Sequence, residues 1–90
     1  MKTRQPSYYV YLLECADATI YTGVTTDVAR RFSEHQQGSG ARYTRARKAC
    51  RILYAEKQKT RSLAQKREAE IKSWPRAKKL ELIRSKPCRA

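Results

Sequence analysis

The sequence predicts an α+β fold with elements in the order β-β-α-loop-β-α-α, formed by one domain over residues 7–84. Three observations carry that reading. Two short runs rich in aromatic and β-branched residues lie close enough together to form a hairpin. A third such run follows a basic loop, and the stretches flanking it show the apolar spacing of helices. With 90 residues there is room for a single modest core, centred on one sheet. No internal repeat or low-complexity segment interrupts it, and residues 1–6 and 85–90 read as loose ends.

Tyr8 to Glu14 (YYVYLLE) reads as a strand buried largely on both faces. Ala16-Asp17-Ala18 is a turn-like break, and Ile20 to Thr25 (IYTGVT) returns as the antiparallel partner. Thr26 or Asp27 can cap a helix that runs to about Gln37 and stops at Gly38-Ser39-Gly40. The loop GSGARYTRARKA has no clear period. Arg51 to Glu56 (RILYAE) reads as the third strand. Thr60 or Ser62 opens a longer helix ending at Trp74-Pro75, and Pro75, lacking an N–H, suits the start of a last helix through Ile83.

Composition narrows the function. There are 21 Lys and Arg against 8 Asp and Glu, a formal charge of +13, which attracts polyanions and gains from counterion release at each phosphate contacted. The cations are spread along the chain, not gathered on one amphipathic face, so nucleic acid is expected as the partner and membrane is not. The longest apolar run, Val10 to Leu13, is far shorter than the roughly 18 residues of a membrane span. MKTRQPSYY has no apolar leader segment, so a cytoplasmic location is expected. Cys15, Cys50 and Cys88 form no C-x-x-C pair, and His35 is the only histidine, which argues against a disulfide scaffold or a zinc cluster. A single histidine also excludes sites built on two, and no D-x-D suits a two-metal centre. Glu70-Ile71-Lys72 spells E-x-K, but on a helix and without an upstream strand acid.

Several side chains could handle a phosphodiester. If the hairpin loop is odd in length, Tyr11 and Tyr21 project from the same face, beside Gly23. Two phenols can position or deprotonate a water near a metal, and a glycine admits close approach, although tyrosines are also ordinary strand packing. On the following helix Val28 and Phe32 define the buried side. Arg31 and His35 lie within about 60° of Val28, and Arg30 points to solvent. An arginine there can clamp a phosphate and a histidine one turn on can share a proton, or both can be satisfied edge residues. The long helix has Leu63, Ala64, Ile71 and Trp74 on its apolar side; Glu68 and Glu70 both flank it, and either could hold magnesium. Arg42, Arg45, Arg47, Lys48 and Arg51, with Tyr43 among them, could track phosphates and stack on a base. Arg76, Lys78 and Lys79 add a second basic patch.

Taken together, these residues resemble the GIY-YIG nuclease superfamily, in particular its short stand-alone bacterial members. Tyr9-Val10-Tyr11 and Tyr21-Thr22-Gly23 stand for its two name motifs. Arg31 and His35 follow Gly23 at the spacing of the family's helix T-x-D-x-x-x-R-[hydrophobic]-x-x-H. AQKREAEIK, from Ala64 to Lys72, resembles A-x-x-x-E-x-x-I-K and selects Glu68 over Glu70. Tyr9 replaces the first glycine, Thr22 the central isoleucine, and Val24 stands where some members carry lysine. The resemblance implies a small three-stranded antiparallel sheet flanked by helices, with the site on one sheet face. It also implies an endonuclease acting on DNA (RNA being the alternative), on branched, flapped or single-stranded forms in repair or recombination. Glu68 would ligate one Mg²⁺ or Mn²⁺. Tyr11, or alternatively Tyr21, would be the general base with His35 assisting, and Arg31 would bind the scissile phosphate. A protein partner would supply specificity. The competing reading is a basic, non-catalytic module that keeps the fold.

Overall fold

The computed structural model describes residues 7–37 and 49–85. The chain ends and the basic loop with Arg42, Tyr43, Arg45, Arg47 and Lys48 lie outside the described residues. In chain order the elements are β1 (Tyr8–Cys15), β2 (Ile20–Thr25), α1 (Val28–Gln36), β3 (Ala49–Gln58), α2 (Arg61–Lys72) and α3 (Arg76–Ser85). The strands form one antiparallel sheet in the order β2-β1-β3, the expected α+β architecture. As the central strand, β1 is covered on both faces, which is why Val10 through Leu13 form a continuous buried run.

The hairpin turn decides which side chains share a face. Ala18 N–H donates to the Cys15 carbonyl at 2.9 Å and Cys15 N–H to the Thr19 carbonyl at 2.9 Å, closing a loop over residues 16–18. Asp17 pins it by accepting from the Thr19 hydroxyl at 2.6 Å and its N–H at 3.2 Å. The loop is therefore odd in length, with Tyr11 opposite Gly23 and Leu13 opposite Tyr21. Ala18 supplies the left-handed residue that such a turn needs, at φ 69° and without glycine's freedom. Its carbonyl accepts from the Arg76 guanidinium at 2.8 Å, fastening α3 to the turn.

Two apolar clusters lie on opposite faces of the sheet. Val10, Leu12 and Tyr54 meet Ala64 and Ile71 of α2, with Trp74, Leu82 and Ile83 packed alongside. Tyr11 and Leu13 meet Tyr21, Ile52 and Ala55, under Val28 and Phe32 of α1. On the first of these faces the Thr22 hydroxyl is buried and has no hydrogen-bond partner among the described residues.

The structure corrects three sequence expectations. β3 extends beyond 51–56 at both ends because β1 offers it partners throughout, from Tyr8 opposite Gln58 to Cys15 opposite Ala49. Lys57 and Gln58 join through backbone pairing that no apolar pattern announces. α2 closes at Lys72, although Trp74 N–H still reaches the Ile71 carbonyl at 3.0 Å and the indole packs on the core. Leu63, expected on the apolar side, is 45% exposed. Ala64 and Ile71, seven residues apart, define the buried line, and Leu63 is turned about 100° from the first of them.

Ala18→Gly should raise stability by about 0.5–1 kcal/mol, since relief of the left-handed strain exceeds glycine's entropic cost. Denaturant unfolding checks this; a loss of stability would contradict the turn described.

Candidate active site

The residues Thr25 to Asp27 launch α1 directly off the end of β2. Asp27 N–H donates to the Thr25 hydroxyl at 3.1 Å, and the Asp27 carboxylate caps the helix by accepting from Arg30 N–H at 3.0 Å. With the start fixed, positions 28, 32 and 35 turn towards the sheet and Arg30 is exposed.

His35 is fully buried and its Nε2 lies 2.9 Å from the Tyr11 hydroxyl. The Tyr11, Tyr21 and His35 rings form a triangle with centroids 5.1–6.2 Å apart. Gly23 lies directly beneath. A Cβ on it would come 2.6 Å from Tyr11 Oη, 2.7 Å from Tyr11 Cζ and 3.0 Å from Tyr21 Cε2. The close approach expected at Gly23 is therefore that of the phenols themselves.

Burial pushes the Tyr11 phenol well above its ordinary range and the neighbouring Tyr21 adds to this, while the Arg31 guanidinium opposes it. Burial, reinforced by Arg31, lowers the His35 imidazole from its usual 6.5, with Glu34 opposing. At neutral pH the pair is thus a protonated phenol beside a neutral imidazole. Arg31 itself is half-buried and ion-paired to Glu34 at 2.9 Å.

A cleft of about 380 Å³ brings together Tyr11, Tyr21 and Arg31 from the α1 side with Glu68 from α2. Tyr8 and Val24, of the opposite strand parity, also line it, so the cleft is not confined to the single sheet face expected. His35 lies behind Tyr11 and does not line it.

Periodicity left Glu68 and Glu70 equivalent; tertiary contacts separate them. Glu70 is exposed and held by Arg67 at 2.8 Å, whereas the Glu68 side chain is 23% exposed and pairs with Lys72 at 3.1 Å. What sets the rotation of α2 is Arg67, which donates to both oxygens of Glu56 on β3 at 2.9 and 3.3 Å. The Tyr54 hydroxyl at 2.5 Å and the Gln58 amide at 2.6 Å complete that carboxylate's shell. Burial alone would raise the Glu56 carboxyl, but these hydrogen bonds hold it below its ordinary range. Sequence reasoning missed both Glu56 and Arg67. The available signal was that Glu56 shares its parity with core-facing Tyr54, and a carboxylate there requires partners. Arg61, which also lines the cleft, was missed as well.

Among the described residues no three His, Cys, Asp or Glu side chains cluster. The cleft fits a divalent ion held by one carboxylate, with water and substrate as its remaining ligands, which is magnesium's habit at substrate phosphates.

A three-stranded antiparallel sheet with paired tyrosines on a hairpin, an Arg/His helix and a glutamate from the next helix defines a GIY-YIG domain. This chain belongs to the GIY-YIG catalytic domain family, a nuclease family, whose match covers residues 7–81. More particularly, it is similar to short stand-alone GIY-YIG proteins named UPF0213. One from Natronomonas pharaonis is 51% identical over 76 residues, covering 84% of this chain and 89% of that one. One from Staphylococcus aureus is 44% identical over 80 residues, covering 89% and 98%. The solution NMR structure of a UPF0213 protein from Bacillus halodurans superposes with a TM-score of 0.59 at 42% identity, covering 90% of this chain and 86% of that one.

Gly23→Ala should destabilise the fold by about 2 kcal/mol through overpacking against Tyr11. The loss should shrink in a Tyr11→Phe background, where the hydroxyl nearest the new methyl is gone. Chemical denaturation of the four proteins measures it, and an equal loss in both backgrounds would contradict the packing.

Proposed function

We propose that this protein is a metal-dependent endonuclease that hydrolyses DNA phosphodiesters in the cleft between α1 and α2. The observation that carries the reading is the convergence of the Tyr11 and Tyr21 phenols, the Arg31 guanidinium and the Glu68 carboxylate on that cleft. Glu68 would hold a single Mg²⁺ or Mn²⁺, which would supply positive charge to stabilise the leaving oxygen. Arg31 binds the scissile phosphate and stabilises its developing charge, with Glu34 accepting from its Nη1 at 2.9 Å and holding the guanidinium at the cleft wall.

Tyr11 and His35 divide the proton work. The Tyr11 oxygen takes a proton from the attacking water as its own passes to His35 Nε2, 2.9 Å away. A phenol whose pKa burial has raised is a poor base alone, and the neutral imidazole behind it provides a destination for the proton. His35 therefore acts through Tyr11 and touches no substrate. Tyr21 orients the water from the cleft wall.

DNA is held by charge, with Arg42, Arg45, Arg47 and Lys48 on phosphates and Tyr43 stacking on an unpaired base. Such contacts position without reading sequence, so target choice rests on DNA structure and on a protein partner. A non-catalytic binding module would need the cations alone, and the buried Tyr11–His35 pair and Glu68 would have no task in it.

Glu68→Ala and Arg31→Ala should each reduce cutting of branched, flapped and single-stranded DNA with Mg²⁺ or Mn²⁺ by about 100-fold or more, with binding kept in Glu68→Ala. Because His35 must be neutral to accept a proton and its pKa lies below 6.5, the wild-type rate should be level through neutrality and fall only at more acid pH. Cutting by both variants at close to the wild-type rate would reveal a contaminating nuclease and overturn the assignment.

A further inference from the structure

We propose that Arg61 is a second phosphate-binding residue of the cleft, holding a phosphate that neighbours the scissile one on the same strand. This inference rests on the nucleic-acid reading above and extends it to how the strand lies.

Arg61, Gln65 and Glu68 are spaced four and three residues apart and line the cleft as one stripe of α2. Arg31 faces that stripe from α1. The cleft's other charges are already balanced, Arg31 by Glu34 and Glu68 by Lys72. Among the described residues Arg61 has neither an ion-pair nor a hydrogen-bond partner, so it is the uncompensated charge of the cleft.

Helix stability does not explain an arginine there. Arg61 is the first residue of α2, after the Thr60 cap, and no acid lies in that turn. A cation at a helix N-terminus opposes the macrodipole. An anion bound there would balance both the guanidinium and that end of the helix, and on the nucleic-acid reading that anion is a phosphodiester.

The spacing suits one strand. Arg61 and Glu68 are seven residues apart, roughly 10 Å along the helix axis, and the reach of an arginine brings a neighbouring phosphate within contact. At about 380 Å³ the cleft has room for a short stretch of one strand's backbone. The strand thus runs along α2 with its scissile phosphate between Arg31 and Glu68 and the next towards Arg61.

The test is a fluorescence titration of a labelled single-stranded oligodeoxynucleotide, without divalent metal, at several salt concentrations. Wild type is compared with Arg61→Gln, Arg61→Lys and a control, Lys66→Gln, an exposed cation of α2 that does not line the cleft. Arg61→Gln should weaken binding about fivefold or more and lower the salt slope by about 0.7, the loss of one single-strand phosphate contact. Arg61→Lys should keep the slope, Lys66→Gln should bind within about twofold of wild type, and thermal midpoints should agree. If all four bind alike, the Arg61 assignment fails and the nucleic-acid reading survives. If wild type does not bind, that reading fails and this one with it.

Discussion

At position 23 the chain has no side chain, and the Tyr11 ring occupies the space one would fill. That vacancy on the edge strand lets the phenol lie across β2, meet Tyr21 and reach the His35 imidazole behind it. The three-residue turn places Gly23 opposite Tyr11, and the Asp27 cap places His35 two helical turns later on the sheet side. Each local feature is ordinary; their common product is a buried proton-sharing pair open to a cleft on one side only.

The opposite wall depends on a second constraint. Arg67 grips Glu56 across the gap between α2 and β3 and so fixes which face of α2 meets the cleft. A half-buried carboxylate with four donated hydrogen bonds is costly to leave unpaired, which makes the helix rotation well defined. Glu68, the next residue, is held far more loosely. Its partner Lys72 is 53% exposed, and a pair of that kind contributes little. On the proposed reading a divalent cation would displace the lysine without disturbing the fold, a rigid frame thus carrying a replaceable counter-charge at Glu68.

Much of this was legible in the sequence. Alternation along the strands, given an odd turn, placed Tyr11, Tyr21 and Gly23 on one face, and helical spacing put Arg31 and His35 at the border of the buried side of α1. The family resemblance chose Glu68, which periodicity alone could not do. What stayed hidden involved contacts between distant segments. The Glu56–Arg67 clamp joins β3 to α2, and β3's polar extension at Lys57 and Gln58 exists because β1 has backbone groups to pair. Arg61 was hidden for a different reason: on a helix crowded with lysine and arginine no pattern marks the one that faces a cleft. Thr22 shows the same limit from the other side, a hydroxyl in a core-facing strand position whose lack of a partner among the described residues only three-dimensional packing reveals.

On the proposed reading one cation binds where Glu68 meets Tyr11, Tyr21 and Arg31. Paramagnetic broadening by Mn²⁺ in the NMR spectrum tests it directly, because the effect falls away steeply with distance. At substoichiometric Mn²⁺ the signals of Tyr11, Tyr21, Arg31 and Glu68 should broaden first, and Glu68→Gln should abolish this selectivity. Broadening centred on Glu81 or Glu34, or unchanged by Glu68→Gln, would rule out a cation at Glu68.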